Sequence, residues 1–169
     1  MKKKILQAEI ESELKTLRHK SEVVKAVDSG VKKLVTDMFD SMKEANGIGL
    51  SAVQIGELKR VLIAEYAGSG TQVPRTVLIN PEINWASKKE VLDEEGCLSI
   101  PNVYGMVKRP DKIAYRALDE NGEVVEARVG GLLARVIQHE LDHLDGVLFV
   151  DRVEGDLYTY EKQDDTKEI

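Results

Sequence analysis

Apolar side chains at helical spacing predict the first well-defined element of the chain. They recur at i, i+3, i+4, i+7, i+8 and i+11, at Val31, Leu34, Val35, Met38, Phe39 and Met42. Asp28 or Ser29 is suited to cap the start of this helix. The pair Asn46–Gly47 predicts its end, because glycine readily adopts the left-handed conformation of a C-cap.

A second helix is predicted over residues 132–145, closed by Gly146. Its apolar side chains cover a wide arc, so we expect the helix to be buried under a sheet. These side chains are Leu132, Leu133, Val136, Ile137, Leu141 and Leu144. The narrow polar side carries Arg135, Gln138, Asp142 and Asp145.

Short apolar runs predict strands at residues 60–66, 76–80, 112–118, 123–129 and 147–150. Pro81 ends the second strand, and Asn121–Gly122 forms a hairpin turn between the third and the fourth. The glycine-rich segment 47–56 predicts a buried loop or irregular strand whose backbone closely approaches another group. This order predicts an α+β fold, with mixed or antiparallel sheets packed around the second helix and an N-terminal helix.

We expect one domain over residues 1–151 and a short acidic tail, peripheral or frayed, over residues 152–169. The chain has 169 residues, a formal net charge of −6 and a single cysteine, Cys97. One cysteine cannot form an internal disulfide, and the acidic balance lacks the basic face of a nucleic-acid binder. The sequence contains neither a signal-peptide core nor an apolar stretch of membrane-spanning length. These features favour an enzyme or a binding protein of a reducing, cytoplasmic compartment.

Two histidines at i and i+4 of the second helix, His139 and His143, form a candidate metal site. Both rings lie on one helical face and can reach the same cation. Glu140 lies about 100° around the helix axis from His139, in the position of a general base acting on water at the metal. The alternative is two unrelated histidines on an amphipathic helix, but ionisable rings on a largely apolar helix need partners.

A catalytic site of this type needs a third protein ligand and a fourth position for water. Glu161 is one candidate, because it follows His143 by 18 residues, a spacing typical of zinc peptidases. Cys97 is the other, because a thiolate is a strong ligand for borderline metals, although a lone cysteine is often an ordinary apolar side chain. Ligation by Glu161 would indicate a zinc peptidase of a different class. A structural metal site or a binding module without turnover is a third hypothesis.

Three segments together resemble the motifs of the peptide deformylase family. The segment GIGLSAVQ at residues 47–54 is similar to the first motif, G-x-G-L-A-A-x-Q, with Ser51 in place of alanine. The segment EGCLS at residues 95–99 matches the second motif, and QHELDHLDG at residues 138–146 matches the third, Q-H-E-x-D-H-L-x-G. The ordered set is much more specific than each motif, and the resemblance extends from about residue 17 to about residue 151.

The resemblance implies removal of the N-formyl group from the formylmethionine of newly made polypeptides, with release of formate. It implies that Cys97, His139 and His143 bind one divalent metal, with water in the fourth position. That metal is usually Fe²⁺ in the family, and Zn²⁺, Ni²⁺ or Co²⁺ can replace it. Water on the metal would attack the formyl carbonyl, with Glu140 as general base and then general acid.

Further roles follow from the same resemblance. The side-chain amide of Gln54 and the backbone N–H of Leu98 would bind the developing oxyanion. The backbone around Gly49 would pair with the extended peptide substrate. Tyr104 occupies a position where some members carry an arginine that contacts substrate.

The placement of apolar residues and of charges adds three hypotheses about the surroundings of the site. Ile48, Leu132 and Val136 flank the first and third motifs and suit a pocket for methionine, although Leu132 is equally suited to core packing. Glu95 needs a partner if it is buried, and Arg109 is the candidate. Asp142 either orients an adjacent group or meets solvent.

The expected partners are N-formyl-methionyl nascent peptides, with no nucleic acid and no membrane. Transient ribosome contact is compatible with the resemblance, but the short acidic tail disfavours the route used by members with a longer basic C-terminal helix. The expected location is the cytoplasm of a bacterial-type cell, with an organelle or a phage-encoded origin left open.

Overall fold

Two antiparallel sheets and three helices make up the part of the chain that the computed structural model describes, residues 1–68 and 70–160. The helices are α1 (Glu11–Leu17), α2 (Ser29–Glu44) and α3 (Gly131–Leu144). The strands are β1 (Gly49–Ser51), β2 (Val61–Ala67), β3 (Gln72–Ala86), β4 (Glu90–Cys97), β5 (Ile100–Pro110), β6 (Lys112–Leu118) and β7 (Val124–Gly130). Short 3-10 turns lie at Ala52–Ile55 and Phe149–Asp151. None of the described helices combines the length and the apolar character needed to cross a membrane.

The larger sheet has five strands in the order β1-β2-β3-β6-β7, and β4 and β5 form a separate hairpin. Each neighbouring pair of strands is antiparallel. Helix α3 packs against the larger sheet and also contacts β5 of the hairpin. The predicted α+β class is therefore confirmed, and the described sheets are antiparallel rather than mixed.

Strand β2 is buried on both faces because α2 and α3 pack on its opposite sides. Successive side chains of a strand point to alternate faces of the sheet. Val61 and Ile63 belong to the core that includes Met38 of α2. Leu62 belongs to the core that includes Ile137 of α3. Burial on both faces explains why residues 61–64 of the predicted strand 60–66 are all apolar instead of alternating with polar residues.

Both predicted helices are present, but the predicted end of the first one is only partly confirmed. Helix α2 ends at Glu44, and the left-handed residue that follows it is Asn46, with a φ of 54°, and not Gly47, because asparagine also tolerates this conformation. The side chain of Asp28 accepts a hydrogen bond of 2.9 Å from the backbone N–H of Val31 and caps α2. Helix α3 ends at Leu144, two residues before Gly146, which has a φ of 75°. The predicted β6–β7 hairpin is also present, and Gly122 in its turn has a φ of 83°.

The second predicted strand does not end at Pro81. Strand β3 continues to Ala86, and its pairing with β6 shifts between Ile79 and Glu82. This irregularity places Pro81 in a bulge, where a residue without an N–H does not interrupt the ladder of hydrogen bonds. Asn80, which precedes the proline, has a φ of 53°.

Several further elements differ from the prediction. The short strand expected at residues 147–150 is absent from the described structure, where the chain forms the 3-10 turn Phe149–Asp151. Helix α1 was missed because it is short and only Leu17 is buried. The β4–β5 hairpin was missed because its buried positions include charged residues, Glu95 and Arg109, which hide the alternation of apolar and polar side chains.

The segment after Asp151 pairs with the β4–β5 hairpin over its described part. Val153 forms an isolated antiparallel bridge with Val107. Tyr158 forms another with Tyr104, in which their backbone N–H and C=O groups make bonds of 2.9 and 3.0 Å. This part of the chain is therefore not frayed, whereas the domain boundary at residue 151 stays a prediction.

Candidate metal and catalytic site

Three ligand-type side chains converge where the β4–β5 hairpin meets α3. Cys97 is the last residue of β4, and His139 and His143 lie one turn apart on α3. One donor atom from each residue lies within 4.8 Å of the other two. The Sγ atom of Cys97 is 3.2 Å from Nε2 of His143. The structure thus brings the predicted cysteine and both predicted histidines to one point.

This donor set fits a divalent metal. One thiolate and two imidazoles suit a borderline ion, and three protein ligands are typical of catalytic sites. The adjacent Glu140 carries a buried Oε2 atom without a hydrogen-bond partner among the described residues. A buried polar atom of this kind requires a further partner such as water or substrate. Glu161, the other candidate ligand, lies outside the described residues.

The buried carboxylate of Glu95 orients the ring of His139. Its Oε2 atom lies 2.9 Å from Nδ1 of His139, which leaves Nε2 of that ring as the donor atom for a metal. Arg109 binds both carboxylate oxygens, with distances of 2.6 Å from Nε to Oε1 and 2.9 Å from Nη2 to Oε2. The contact between Glu95 and Arg109 that the charge placement suggested is therefore present. Arg135 adds a bond of 2.7 Å to Oε1.

Asp142 extends this network away from the candidate metal ligands. Its Oδ2 atom accepts a bond of 2.9 Å from Arg109. Arg152 binds both of its oxygens at 2.6 and 2.7 Å. Asp142 therefore orients adjacent groups, which was one of the two roles predicted for it. Sequence reasoning missed Arg135 and Arg152, although Arg135 precedes His139 by four residues and so lies on the same helical face.

Burial and neighbouring groups shift the pKa values of the site. Burial would raise the pKa of Glu95, but its hydrogen bonds with His139 and Arg109 outweigh burial and lower it. Burial opposes charge on His139, yet the neighbouring thiol and carboxylate raise its pKa well above the usual value. Burial lowers the pKa of His143 well below the usual value. Burial raises the pKa of Glu140 to about 7, which suits a group that accepts and donates protons near neutral pH.

Gly49 allows β1 to lie directly against α3. A Cβ atom at this position would be 2.7 Å from Oε1 of Glu140 and 2.6 Å from Cγ1 of Val136. Such distances are too short for ordinary non-bonded contacts, so a larger residue would displace the helix or the Glu140 side chain. This is the close backbone approach that the glycine-rich segment predicted.

The amide of Gln54 is held in one orientation beside the three ligands. Its Oε1 atom accepts bonds of 2.9 Å from both the backbone N–H and the hydroxyl of Ser51. Its Nε2 atom is 3.2 Å from the hydroxyl of Ser99 and 3.6 Å from Sγ of Cys97. The hydroxyl of Ser51, which replaces the usual alanine of the motif, thus finds its acceptor in Gln54.

N-terminal residues support the two loops that carry the predicted oxyanion donors. The backbone N–H of Leu6 donates a bond of 2.8 Å to the carbonyl of Gln54. The side-chain amide of Gln7 donates a bond of 3.2 Å to the carbonyl of Leu98. Sequence reasoning missed these contacts because they join residues that are far apart along the chain.

The site opens into a cavity of about 570 Å³. Its walls include the predicted substrate-binding residues Ile48, Gly49, Tyr104, Leu132 and Val136. Gln54, Cys97, Leu98, His139 and Glu140 also line this cavity. His143 is buried, with 1% of its surface exposed. A ligand in the cavity can therefore reach the ligand cluster, the Glu140 carboxylate and the Gln54 amide together.

Comparisons with known proteins agree with this arrangement. The model of the polypeptide deformylase family matches residues 2–157. A peptide deformylase from Dictyoglomus thermophilum is 48% identical over 147 residues, which cover 86% of this chain and 92% of that protein. A peptide deformylase from Caulobacter sp. strain K31 is 43% identical over 151 residues, which cover 89% of this chain and 87% of the relative.

Solved structures show the same similarity. The crystal structure of a class I type b peptide deformylase from Acinetobacter baumannii, bound to Met-Ala-Ser, aligns with a TM-score of 0.84. The two chains are 32% identical, and the alignment covers 90% of this chain and 99% of the other.

Proposed function

The chain belongs to the polypeptide deformylase family, and from this premise we propose how its residues carry out the reaction. The enzyme hydrolyses the N-formyl group of N-terminal formylmethionine in newly made polypeptides and releases formate. Its cofactor is a divalent metal. The observation that carries the proposed roles is the convergence of Cys97, His139 and His143, of which Cys97 and His139 line the same cavity as Glu140.

Cys97, His139 and His143 hold the metal in this proposal. Sγ of Cys97 and one ring nitrogen of each histidine are the donors, and Glu95 keeps Nε2 of His139 available by binding Nδ1. When bound, the metal supplies Lewis-acid chemistry, which acidifies water and polarises the formyl carbonyl. Cys97 acts as a ligand and not as a nucleophile, so the enzyme forms no covalent intermediate.

Glu140 is the proposed general base and general acid. Its carboxylate takes a proton from the attacking water and then donates it to the leaving amide nitrogen. This proton transfer requires a carboxylate that has no strong hydrogen-bond or ion-pair partner and is open to the substrate. The unpartnered Oε2 atom and the position of Glu140 on the cavity wall support this role.

Gln54 and Leu98 are the proposed oxyanion donors. The Nε2 atom of Gln54 and the backbone N–H of Leu98 bind the formyl oxygen as it gains negative charge. Ser51 fixes the Gln54 amide in advance, because its N–H and hydroxyl occupy Oε1 and leave Nε2 to face the site. Loss of one such donor typically lowers the rate by about 10²–10³-fold.

The peptide substrate is proposed to lie extended along the backbone of Gly49. Ile48, Leu132 and Val136 provide an apolar pocket for the methionine side chain. Tyr104 contacts the substrate residues that follow this methionine. The position of all five residues on the cavity wall supports this placement. The Met-Ala-Ser bound to the Acinetobacter baumannii enzyme is a peptide that begins with methionine, which also supports it.

Fe²⁺ is the proposed native metal, with Zn²⁺, Ni²⁺ or Co²⁺ as substitutes. We expect the enzyme to act in the cytoplasm and to make at most transient contact with the ribosome, without use of the acidic tail. Anaerobic loading with each metal, followed by assay of formate release from formyl-methionyl peptides, tests the assignment. We expect release with each of these ions and the highest rate with Fe²⁺. No release with all four ions would overturn the proposed function.

Metal content separates the two candidate third ligands. The Cys97→Ser variant should lose bound metal, whereas Glu161→Ala should keep the content of the parent protein. The opposite result would favour a zinc peptidase in which Glu161 replaces Cys97.

A further inference from the structure

The three proposed metal ligands belong to two separate structural units. Cys97 ends β4 of the hairpin, whereas His139 and His143 lie on α3. The hairpin is not paired with the five-stranded sheet in the described structure. The distances between the thiol and the two rings therefore depend on the contacts that hold the hairpin on the helix.

Arg135 of α3 makes contacts with both strands of this hairpin. Its Nη1 atom donates bonds of 2.7 Å to Oε1 of Glu95 and 3.0 Å to the carbonyl of Val107. Its Nη2 atom donates a bond of 2.7 Å to the carbonyl of Val91. The side chain is 11% exposed, so these bonds are largely shielded from water. A single planar guanidinium thus binds β4, β5 and the carboxylate that orients His139.

Arg109 has a different role, although it binds the same carboxylate. Arg109 belongs to β5 and Glu95 to β4, so their ion pair joins the two strands of the hairpin to each other. The bonds from Arg135 instead join the hairpin to α3. Arg109 contributes to that junction through Asp142 of α3, at 2.9 Å.

We propose that Arg135 is a positioning residue for the metal site, which holds the hairpin on α3 so that Cys97 stays at ligand distance from His139 and His143. The inference rests on the proposed assignment of these three residues as metal ligands. Arg135 also fixes the Glu95 carboxylate in the orientation that meets Nδ1 of His139. A group that supports a ligand in this way typically contributes about 10–100-fold to metal affinity.

Lysine cannot replace these contacts. Three acceptors on two strands require a planar group with several donors in fixed directions, and an ammonium group on a flexible stem lacks this geometry. Methionine keeps an apolar stem of similar length on the cavity wall but removes the guanidinium. The variants Arg135→Met and Arg135→Lys therefore separate loss of the hydrogen bonds from a change in the shape of the cavity.

Competition of the Co²⁺-loaded full-length variants with a chelator measures metal affinity, and the thiolate-to-cobalt absorption band reports the bond to Cys97. We expect Arg135→Met to lower the affinity by about 10–100-fold and to weaken this band. Arg135→Lys should fall between this variant and the parent. The control is Arg116→Met, which removes an exposed ion pair with Glu126 at 2.9 Å and should leave both readouts unchanged.

A Co²⁺ affinity of Arg135→Met within about twofold of the parent, with an unchanged thiolate band, would overturn the proposal. If Arg135→Met does not fold, Arg135→Lys provides the test. A Co²⁺ affinity and a thiolate band of Arg135→Lys that equal those of the parent would also overturn the proposal. Formate release by the parent protein is measured in parallel. Its absence would contradict the deformylase function, whereas normal release with unchanged Arg135→Met affinity would contradict only the role of Arg135.

Discussion

Two consecutive glutamates of β4 have opposite environments. Glu95 faces α3, its side chain is 4% exposed, and it binds Arg109, Arg135 and His139. Glu94 points to the other face of the hairpin, is exposed, and accepts hydrogen bonds from the hydroxyls of Tyr158 and Tyr160.

The comparison shows that burial decides how much a glutamate carboxylate contributes to stability. A carboxylate removed from water must be paired, and removal of its partners leaves an expensive buried charge. An exposed carboxylate remains solvated whether or not its neighbours are present. Glu95 is therefore a structural part of the candidate metal site, whereas we expect Glu94 to be dispensable for stability.

Glu95→Ala should have the largest effect on stability. The substitution leaves the buried guanidinium of Arg109 and the partly buried one of Arg135 without their carboxylate, and loss of one member of a buried ion pair typically costs about 3–5 kcal/mol. Urea unfolding in the presence of a chelator measures the loss of stability without a contribution from bound metal. Glu94→Ala is the matched control. Equal losses for the two variants would remove the distinction between the two faces.

A double-mutant cycle on Glu95 and Arg109 sharpens the comparison. Because the two side chains share two short hydrogen bonds in a buried site, we expect a coupling free energy of about 0.5–3 kcal/mol between the substitutions Glu95→Gln and Arg109→Met. Urea unfolding of both single variants and the double variant supplies the values. Additive effects would show that the pair does not act as a unit.

The pH dependence of stability should also differ between the parent protein and Glu95→Gln. The pKa of Glu95 is lower in the folded chain than its usual value of about 4.3, so the unfolded chain binds this proton first as the pH falls. The stability due to Glu95 is present above that pH and is lost progressively below it. Chelator-treated Glu95→Gln should therefore lose less stability on acidification than the parent. A parallel loss in both proteins would contradict the lowered pKa.

Glu94→Gln should have the smallest effect. Its carboxylate is exposed, and hydrogen bonds from Tyr158 and Tyr160 to an exposed acceptor replace bonds to water at little net gain. We expect a change in unfolding free energy within about 0.5 kcal/mol. Urea unfolding at neutral pH tests this value, and a loss comparable with that of Glu95→Ala would show that exposure does not decide the contribution.

The contrast between the buried and the exposed face of the β4–β5 hairpin also explains which parts of the molecule could be predicted from sequence. Helix α3 was predictable because its apolar arc and the pair His139 and His143 are encoded at local helical spacing. The β4–β5 hairpin was not, because burial of Glu95 and Arg109 depends on partners distant in sequence. Charged residues at buried positions are read as surface residues when those partners are unknown.

The same reasoning applies to the site. The motifs led to the proposed metal ligands and to the proposed roles of Glu140 and Gln54, because these residues lie in short local patterns. The contacts of Arg135 with Val91 and Val107 depend on how the hairpin docks on α3, which no local pattern encodes. Arg152 lies in the segment predicted to be peripheral or frayed, and only the folded chain brings it to Asp142.

The transfer of a proton by Glu140 is the central claim of the account. Its most direct test is the formate release of metal-loaded Glu140→Gln, with metal content measured on the same sample. Since the proposal gives Glu140 the role of a base and not of a ligand, we expect the parent's metal content and a loss of about 10²–10⁴-fold in kcat, the usual contribution of general acid–base catalysis. Formate release at the parent's rate by the fully loaded variant would contradict the mechanism.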